Sequence, residues 1–405
     1  MLSFEEARAR VLEGAGPLGV ERVWFTEAVG RVLAEDVVSQ HALPAFDHSA
    51  MDGYAVAVDA LAGDAPFRLR VSAESRTGGA LPGPIAPGDA CRIFTGARLP
   101  EGTDAVVMQE DVTREGDVAV LAARPRRGAN VRRAGEDVSV GQVVLPRGTR
   151  VTPYAMMLLA SVERARLSVA SRPRVAIVAT GDELRDLGDA PRGGAVVDAN
   201  APTLAALVTM LGGAPVVLPR AADELDATRA VVRDALGRSD LVLTIGGVSV
   251  GTHDVVKEAL AREGVEMDFW KVAIKPGKPV AMGRASRDGR PVRVLGLPGN
   301  PASAVLTFAL FAAPLIRAMQ GDAAPVPLEY DARLARPLKR APGRTEFLRV
   351  RLARQGDGLV AHPLENQASG AVTSFAWADA LARVPAEVAA LDEGTVLRCT
   401  RLMEV

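Results

Sequence analysis

The spacing of hydrophobic and polar positions changes period several times along this chain, and each change marks a different kind of element. Phe4, Ala7, Val11 and Leu12 recur at helical spacing, so residues 1 to about 40 are expected to be largely helical, with a short extended piece near Val37. Ser3 and Glu6 stand three apart, the spacing at which each side chain satisfies a backbone donor near the other at a helix start. From Pro44 the texture becomes short β-type runs, Phe67 to Val71, Cys91 to Phe94, Ala105 to Met108 and Val118 to Leu121, separated by Gly- and Pro-bearing turns. A mixed piece from Val143 to Arg172 holds one expected helix, Tyr154 to Val162.

After Pro173 apolar strands and helices alternate regularly. RVAIVAT, PVVLP, LVLTI and VRVLGL read as strands, and Ala201 to Leu211, Leu225 to Leu236, Val255 to Ala261 and the stretch from Pro301 read as helices. Such alternation predicts a doubly wound, mostly parallel sheet, with ligands gathering at the carboxyl ends of its strands. Beyond Gln320 the pattern turns β again, with LRVRLARQGDGLVAHP expected as two strands joined across Asp357 and Gly358.

Composition narrows the function classes. The chain has 405 residues, 48% of them hydrophobic, enough for several packed domains, and a formal net charge of -1, which offers no bulk attraction for nucleic acid or an acidic membrane. Two cysteines, Cys91 and Cys399, and four scattered histidines give neither a disulfide framework nor a soft-metal ligand set. MLSFEEARARV lacks the basic and then apolar pattern of a signal peptide, and the apolar run Ala302 to Ile316 is too short to cross a bilayer comfortably. It reads as a buried core helix, and the chain as cytoplasmic.

Four loops carry candidate chemistry, three of them directly after strands. TIGGVSVGTHD follows an apolar strand and opens a helix, so Gly246, Gly247 and Gly251 let backbone N–H groups approach a phosphate. ATGDEL sets Asp182 and Glu183 over the same sheet edge, where paired carboxylates suit magnesium or simply cap the next turn. Asp254 is open to the same two readings. KVAIKPGKP supplies Lys271, Lys275 and Lys278 in a stiff turn, and GLPGNPASA supplies Pro298, Gly299 and Asn300 ahead of Pro301 at a helix start. Turn chemistry and solvated lysines explain each loop singly but not three polar loops at one edge.

Taken in order, PAFDHSAMDGYAV, IFTGA, GEDV, ATGDEL, TIGGVSVGTHD, FWKVAIKPGKP, GLPGNPASA and PGRTEF resemble the molybdopterin molybdenumtransferase family, which includes the E domain of gephyrin. The resemblance implies an α/β plus β, multi-domain fold. Its parts would be a split linker domain (1–42 and 133–171), an inserted β-rich domain (43–132), a molybdopterin-binding α/β domain (172–321) and a small carboxyl-terminal β-barrel (322–405). It also implies insertion of molybdate into adenylylated molybdopterin with Mg2+, releasing AMP and the molybdenum cofactor. A homodimer would share the site across its interface, with contacts to the adenylyltransferase that supplies its substrate and to molybdoenzyme acceptors, and with no nucleic acid or membrane partner.

By motif match, Glu183, Asp182 and Asp254 would hold the metal, and Asp52, Thr95 and Asp137 would face them from the β module. Gly246, Gly247, Ser249, Pro298, Gly299, Asn300 and Pro301 would cradle the pterin and its pyrophosphate. Lys271, Lys275 and Lys278 would balance phosphate and molybdate charge, joined by Arg344 and Ser369. His48 and Val255 depart from the residues the resemblance leads one to expect. Two rivals share parts of the pattern: the adenylyltransferase, which needs only the α/β domain, and a scaffold of gephyrin type, for which a linker and partner domain would be expected.

Overall fold

The structure, a computed structural model, describes every residue except 192, 248–254, 270 and 403–405. The central sheet has six strands: β1 (Arg174–Ala179), β2 (Ala214–Val217), β3 (Leu241–Ile245), β4 (Glu266–Phe269), β5 (Ala281–Arg287) and β6 (Arg290–Leu297), in the order β2-β1-β3-β6-β5-β4. The four strands β2, β1, β3 and β6 run parallel, and β5 and β4 add on antiparallel. β1 and β3 are near-continuous apolar runs because both of their faces are covered. One face packs on the helices Asn200–Met210 and Pro301–Ala318, the other on Leu225–Arg238 and Val255–Arg262.

Residues 301–318 satisfy the length and composition of a membrane span, but 72% of that window is buried in the sheet's core. This is the core helix the sequence predicts. It carries a π-helical segment, Phe308–Ala312, which turns Phe308 and Phe311 inward.

The amino-terminal helix ends earlier than its spacing suggests, at Leu12, and Ser3 caps it together with Glu6 as expected. Gly14, Gly16, Pro17 and Gly19 break it, and residues 20–24 form a strand antiparallel to Arg166–Ala170. Phe4, Ala7 and Val11 pack into the α/β core, whereas Leu33, Val37, Val151, Leu159 and Val169 form a core of their own, joining two sequence segments that flank the β module.

That module is a six-stranded sheet in the order Ala105–Met108, Gly53–Val56, Asp89–Ile93, Phe67–Ser75, Val118–Leu121, Val112–Glu115. At the carboxyl end five strands close on themselves. Thr345–Gln355 pairs with Gly358–Pro363 on one side and with Ala380–Val384 on the other, and the ring is completed by Glu329–Leu334 and Val396–Arg401. A two-residue strand from the α/β domain, Ile274–Lys275, pairs parallel to Thr345–Glu346 and ties that domain to the barrel.

Candidate active site

The loops that leave β1, β3 and β6 at their carboxyl ends are bonded to one another. Thr180 Oγ1 donates to Ile245 O at 3.3 Å, Gly246 N donates to Leu297 O at 3.0 Å, and Asn200 Nδ2 donates to Gly299 O at 2.7 Å. Gly246 and Gly247 have φ of 83° and 63°, a left-handed conformation that glycine adopts without strain. A Cβ at Gly246 would press on Thr180 O and Oγ1 at 3.3 Å, and one at Gly299 would lie 3.6 Å from the Gly246 Cα. Backbone therefore forms the floor.

Above that floor opens a cavity of ≈ 1060 Å³, lined by Gly181, Glu183, Asn200, Asp223, Gly246, Gly247, Pro298, Gly299, Asn300 and Pro301 among others. Glu183 folds back on its own turn, so that a Cβ at Gly181 would sit 2.5 Å from its Oε2 and 2.7 Å from its Oε1. Gly181 has a φ of 134°, and a side chain there would displace the carboxylate from the wall. Asp182 takes the turn-capping role that its sequence position left open. Its Oδ1 accepts from Asp223 N at 3.2 Å, and Asp223 Oδ2 accepts from Asp182 N at 3.3 Å.

From the carboxyl-terminal domain Val372 lines the cavity, and Ser369 stands behind the β6 loop. Asn300 Nδ2 donates to Ser369 Oγ at 3.2 Å, and Ala302 N donates to Ser369 O at 2.9 Å, so Ser369 adjoins the β6 loop. The lysine loop sits differently. Of it only Pro279 lines the cavity; Lys271 and Lys278 are exposed, and Lys275 Nζ pairs with Glu346 Oε1 at 2.9 Å. Arg344 is half-buried beside this loop and donates from Nη1 to Ile274 O at 3.4 Å.

In the β module, Thr95 donates to Asp52 Oδ1 from both its N–H and its hydroxyl, each at 2.7 Å. The two bonds hold the Asp52 carboxyl below the usual range, the backbone one contributing most and Arg92 assisting electrostatically. Asp137 is exposed, with its N–H donating to Leu43 O at 2.9 Å. None of Asp52, Thr95 and Asp137 lines the cavity. Ser249, Gly251 and Asp254 lie outside the described residues. Among the described residues, no cluster of three or more His, Cys, Asp or Glu is arranged to hold a metal ion. Of the two departures, Val255 lines the cavity, and His48 pairs in register with Arg132.

Three residues absent from the sequence reading shape the cavity. Asn200 is 9% exposed and bonds the β6 turn. Asp198 Oδ1 accepts from Asn200 N and Ala201 N, both at 3.0 Å, and so caps the helix that carries Asn200. Asp223 holds the ATGDEL turn. Asp198, placed just before a predicted helix start, carried a readable capping signal; Asp223 carried none.

Comparison with known proteins decides the family. The chain matches "MoeA N-terminal region (domain I and II)" over residues 2–162, "Probable molybdopterin binding domain" over 176–318 and "MoeA C-terminal region (domain IV)" over 331–400. It is 39% identical over 353 residues to a molybdopterin molybdenumtransferase of Haemophilus influenzae, covering 86% of this chain and 85% of that protein. The chain belongs to the molybdopterin molybdenumtransferase family. A Bacillus subtilis member of the same name is 33% identical over 410 residues, covering 100% of this chain and 94% of that one. The crystal structure of a molybdopterin biosynthesis moeA protein from Pyrococcus horikoshii OT3 superposes with a TM-score of 0.86 at 28% identity, covering 99% of this chain and 100% of that one. As a member of this transferase family, the protein is an enzyme of molybdenum cofactor biosynthesis.

Proposed function

We propose that this enzyme inserts molybdate into adenylylated molybdopterin with the help of Mg2+, releasing AMP and the molybdenum cofactor, at a site shared between the two chains of a homodimer. The observation that carries this reading is the convergence of the β1, β3 and β6 loops on a glycine-floored cavity with Glu183 on its wall, in a chain of this family. Gly246, Gly247, Pro298, Gly299, Asn300 and Pro301 then cradle the pterin and its pyrophosphate, with Ser249 beyond the described residues. Backbone N–H groups serve that purpose because they are polar and fixed in place.

The donors on the cavity wall suit a hard cation. Its described lining includes the carboxylates Glu183, Asp198 and Asp223 and no thiol or imidazole. Glu183 and Asp254 would hold magnesium, while Asp182 maintains the turn that carries Glu183 through Asp223. Bound there, magnesium would neutralise charge on the phosphoanhydride. The protein's own contribution is positioning: it brings the dithiolene and molybdate together and offsets oxyanion charge with Lys271, Lys275, Lys278 and Arg344. Molybdenum ends on the sulfurs of its substrate, so the enzyme needs no thiolate of its own, and Cys91 and Cys399 are both buried.

Asp52 and Thr95 are tied to each other and stand apart from the cavity lining, which supports their completing the site of a partner subunit together with Asp137. The test mixes two inactive variants, Asp52→Asn and Glu183→Gln. A heterodimer places both lesions in one site and leaves the other intact, so random reassociation should restore about a quarter of wild-type AMP release. Mixtures that stay inactive while exchanging subunits would refute the shared site.

A further inference from the structure

Lys275 belongs to the α/β domain and Arg344 to the barrel, yet one buried ion pair holds both. Arg340 Nε meets Glu346 Oε2 at 2.8 Å, with side chains only 3% and 8% exposed. Arg340 Nη1 donates to Pro385 O at 2.8 Å and Val388 O at 2.7 Å, and its Nη2 donates to Arg344 O. The other oxygen of the carboxylate, Glu346 Oε1, faces Lys275 Nζ at 2.9 Å. Parallel pairing of Ile274 with Thr345 and of Lys275 with Glu346 fixes the register across the seam, and Arg344 Nη1 reaches back to Ile274 O.

A buried ion pair contributes less to stability than well-packed apolar residues of similar volume commonly would, so its use here is better sought in geometry. Glu346 is one carboxylate placed between the guanidinium of Arg340 and the amine of Lys275, and it engages them through different oxygens. Lys275 keeps a side-chain exposure of 43%. An ammonium has three donors, so Lys275 can stay on Glu346 and still donate to an incoming oxyanion.

We propose that the Arg340–Glu346 pair is the positioning device of the oxyanion site, orienting Lys275 through the carboxylate and Arg344 through its backbone so that molybdate meets two preset cations. This rests on the reading of Lys275 and Arg344 given under the proposed function. Neither Arg340 nor Glu346 touches substrate; both act through the residues they hold.

The test compares Glu346→Gln, Lys275→Met and the double variant in full-length enzyme, following AMP release at varied molybdate. Each single change should raise the KM for molybdate about tenfold or more while kcat stays within about threefold and the KM for the nucleotide-bearing pterin is unchanged. The double variant should match Lys275→Met, because the two act on one contact. Glu346→Asp, which keeps the charge on a shorter arm, should fall between wild type and Glu346→Gln, as a packing role would not require. A wild-type molybdate KM in Glu346→Gln beside a raised one in Lys275→Met, or strictly additive effects, would overturn the positioning role. A wild-type KM in Lys275→Met would instead remove the oxyanion reading of that lysine. Where Glu346→Gln does not fold, Glu346→Asp decides alone: an intermediate KM supports the proposal and a wild-type KM overturns it.

Discussion

Asn200→Asp changes one atom type at the point where the β1-side helix holds the β6 turn. In the wild type the amide Nδ2 donates to Gly299 O at 2.7 Å, with Asn200 only 9% exposed. The variant puts a carboxylate oxygen there, so a donor becomes a second acceptor and Gly299 O loses its partner. Gly299 is exposed on the cavity, so water can reach its carbonyl and the loss is that of one hydrogen bond, about 0.5–1.5 kcal/mol, while repulsion between the two oxygens pushes the turn away from Gly246. The helix should not suffer, since an acid in the first turn is favoured by the helix dipole and Asp198 still caps it. The loss therefore falls on the cavity floor, where about 0.5–1.5 kcal/mol corresponds to about a 2–13-fold rise in the KM for the nucleotide-bearing pterin. Steady-state AMP release at saturating molybdate measures it, with a thermal melt as control. Protonation would let the new carboxyl donate to Gly299 O, so the defect should shrink as pH falls. A wild-type pterin KM, or a defect that deepens at low pH, would refute the role given to Asn200.

Other consequences are as direct. Glu183→Gln, and Asp254→Asn by motif match, should abolish turnover with the melting profile preserved; a fully active variant would return that residue to a capping role. Thr95→Val removes the hydroxyl donor from Asp52 but leaves the backbone one, so the Asp52 carboxyl should rise toward its ordinary range. An ionised carboxylate is lost as pH falls through its folded value, so the acid limb of kcat/KM should move to higher pH in this variant, and an unmoved limb would remove Asp52 from the ionisations that matter. Burial pushes the Cys91 thiol up to about 11 and the Cys399 thiol up to about 12. Both should resist a thiol reagent near neutral pH until the protein unfolds; rapid labelling of the native enzyme would contradict their burial.

Much of the α/β domain was legible because strands covered on both faces must be apolar throughout, as in Leu241–Ile245, and helices between them carry one apolar stripe. The strands β4 and β5 escaped because the second half of AMGRASR alternates exposed with half-buried positions and reads as a polar connection. The helix expected to run to about residue 40 fails at Leu12, where glycine and proline outweigh the helical spacing behind them. At the site, the glycines and Glu183 were readable from strand-then-turn spacing. Asn200 and Asp223 were not, because their function is a contact with a turn distant in sequence. The lysine loop was expected at the cavity with the other three loops. Pairing of Ile274–Lys275 with the barrel draws Lys275 to Glu346 instead, and pairing between distant segments of different domains leaves no mark in local pattern.

The most direct measurement supplies the purified protein with adenylylated molybdopterin, molybdate and magnesium, and follows both AMP and the reconstitution of an apo-molybdoenzyme. AMP should be released in step with active cofactor, both dependent on molybdate, if the enzyme inserts the metal as proposed. Neither product forming, or consumption of ATP with free molybdopterin in their place, would contradict that proposal.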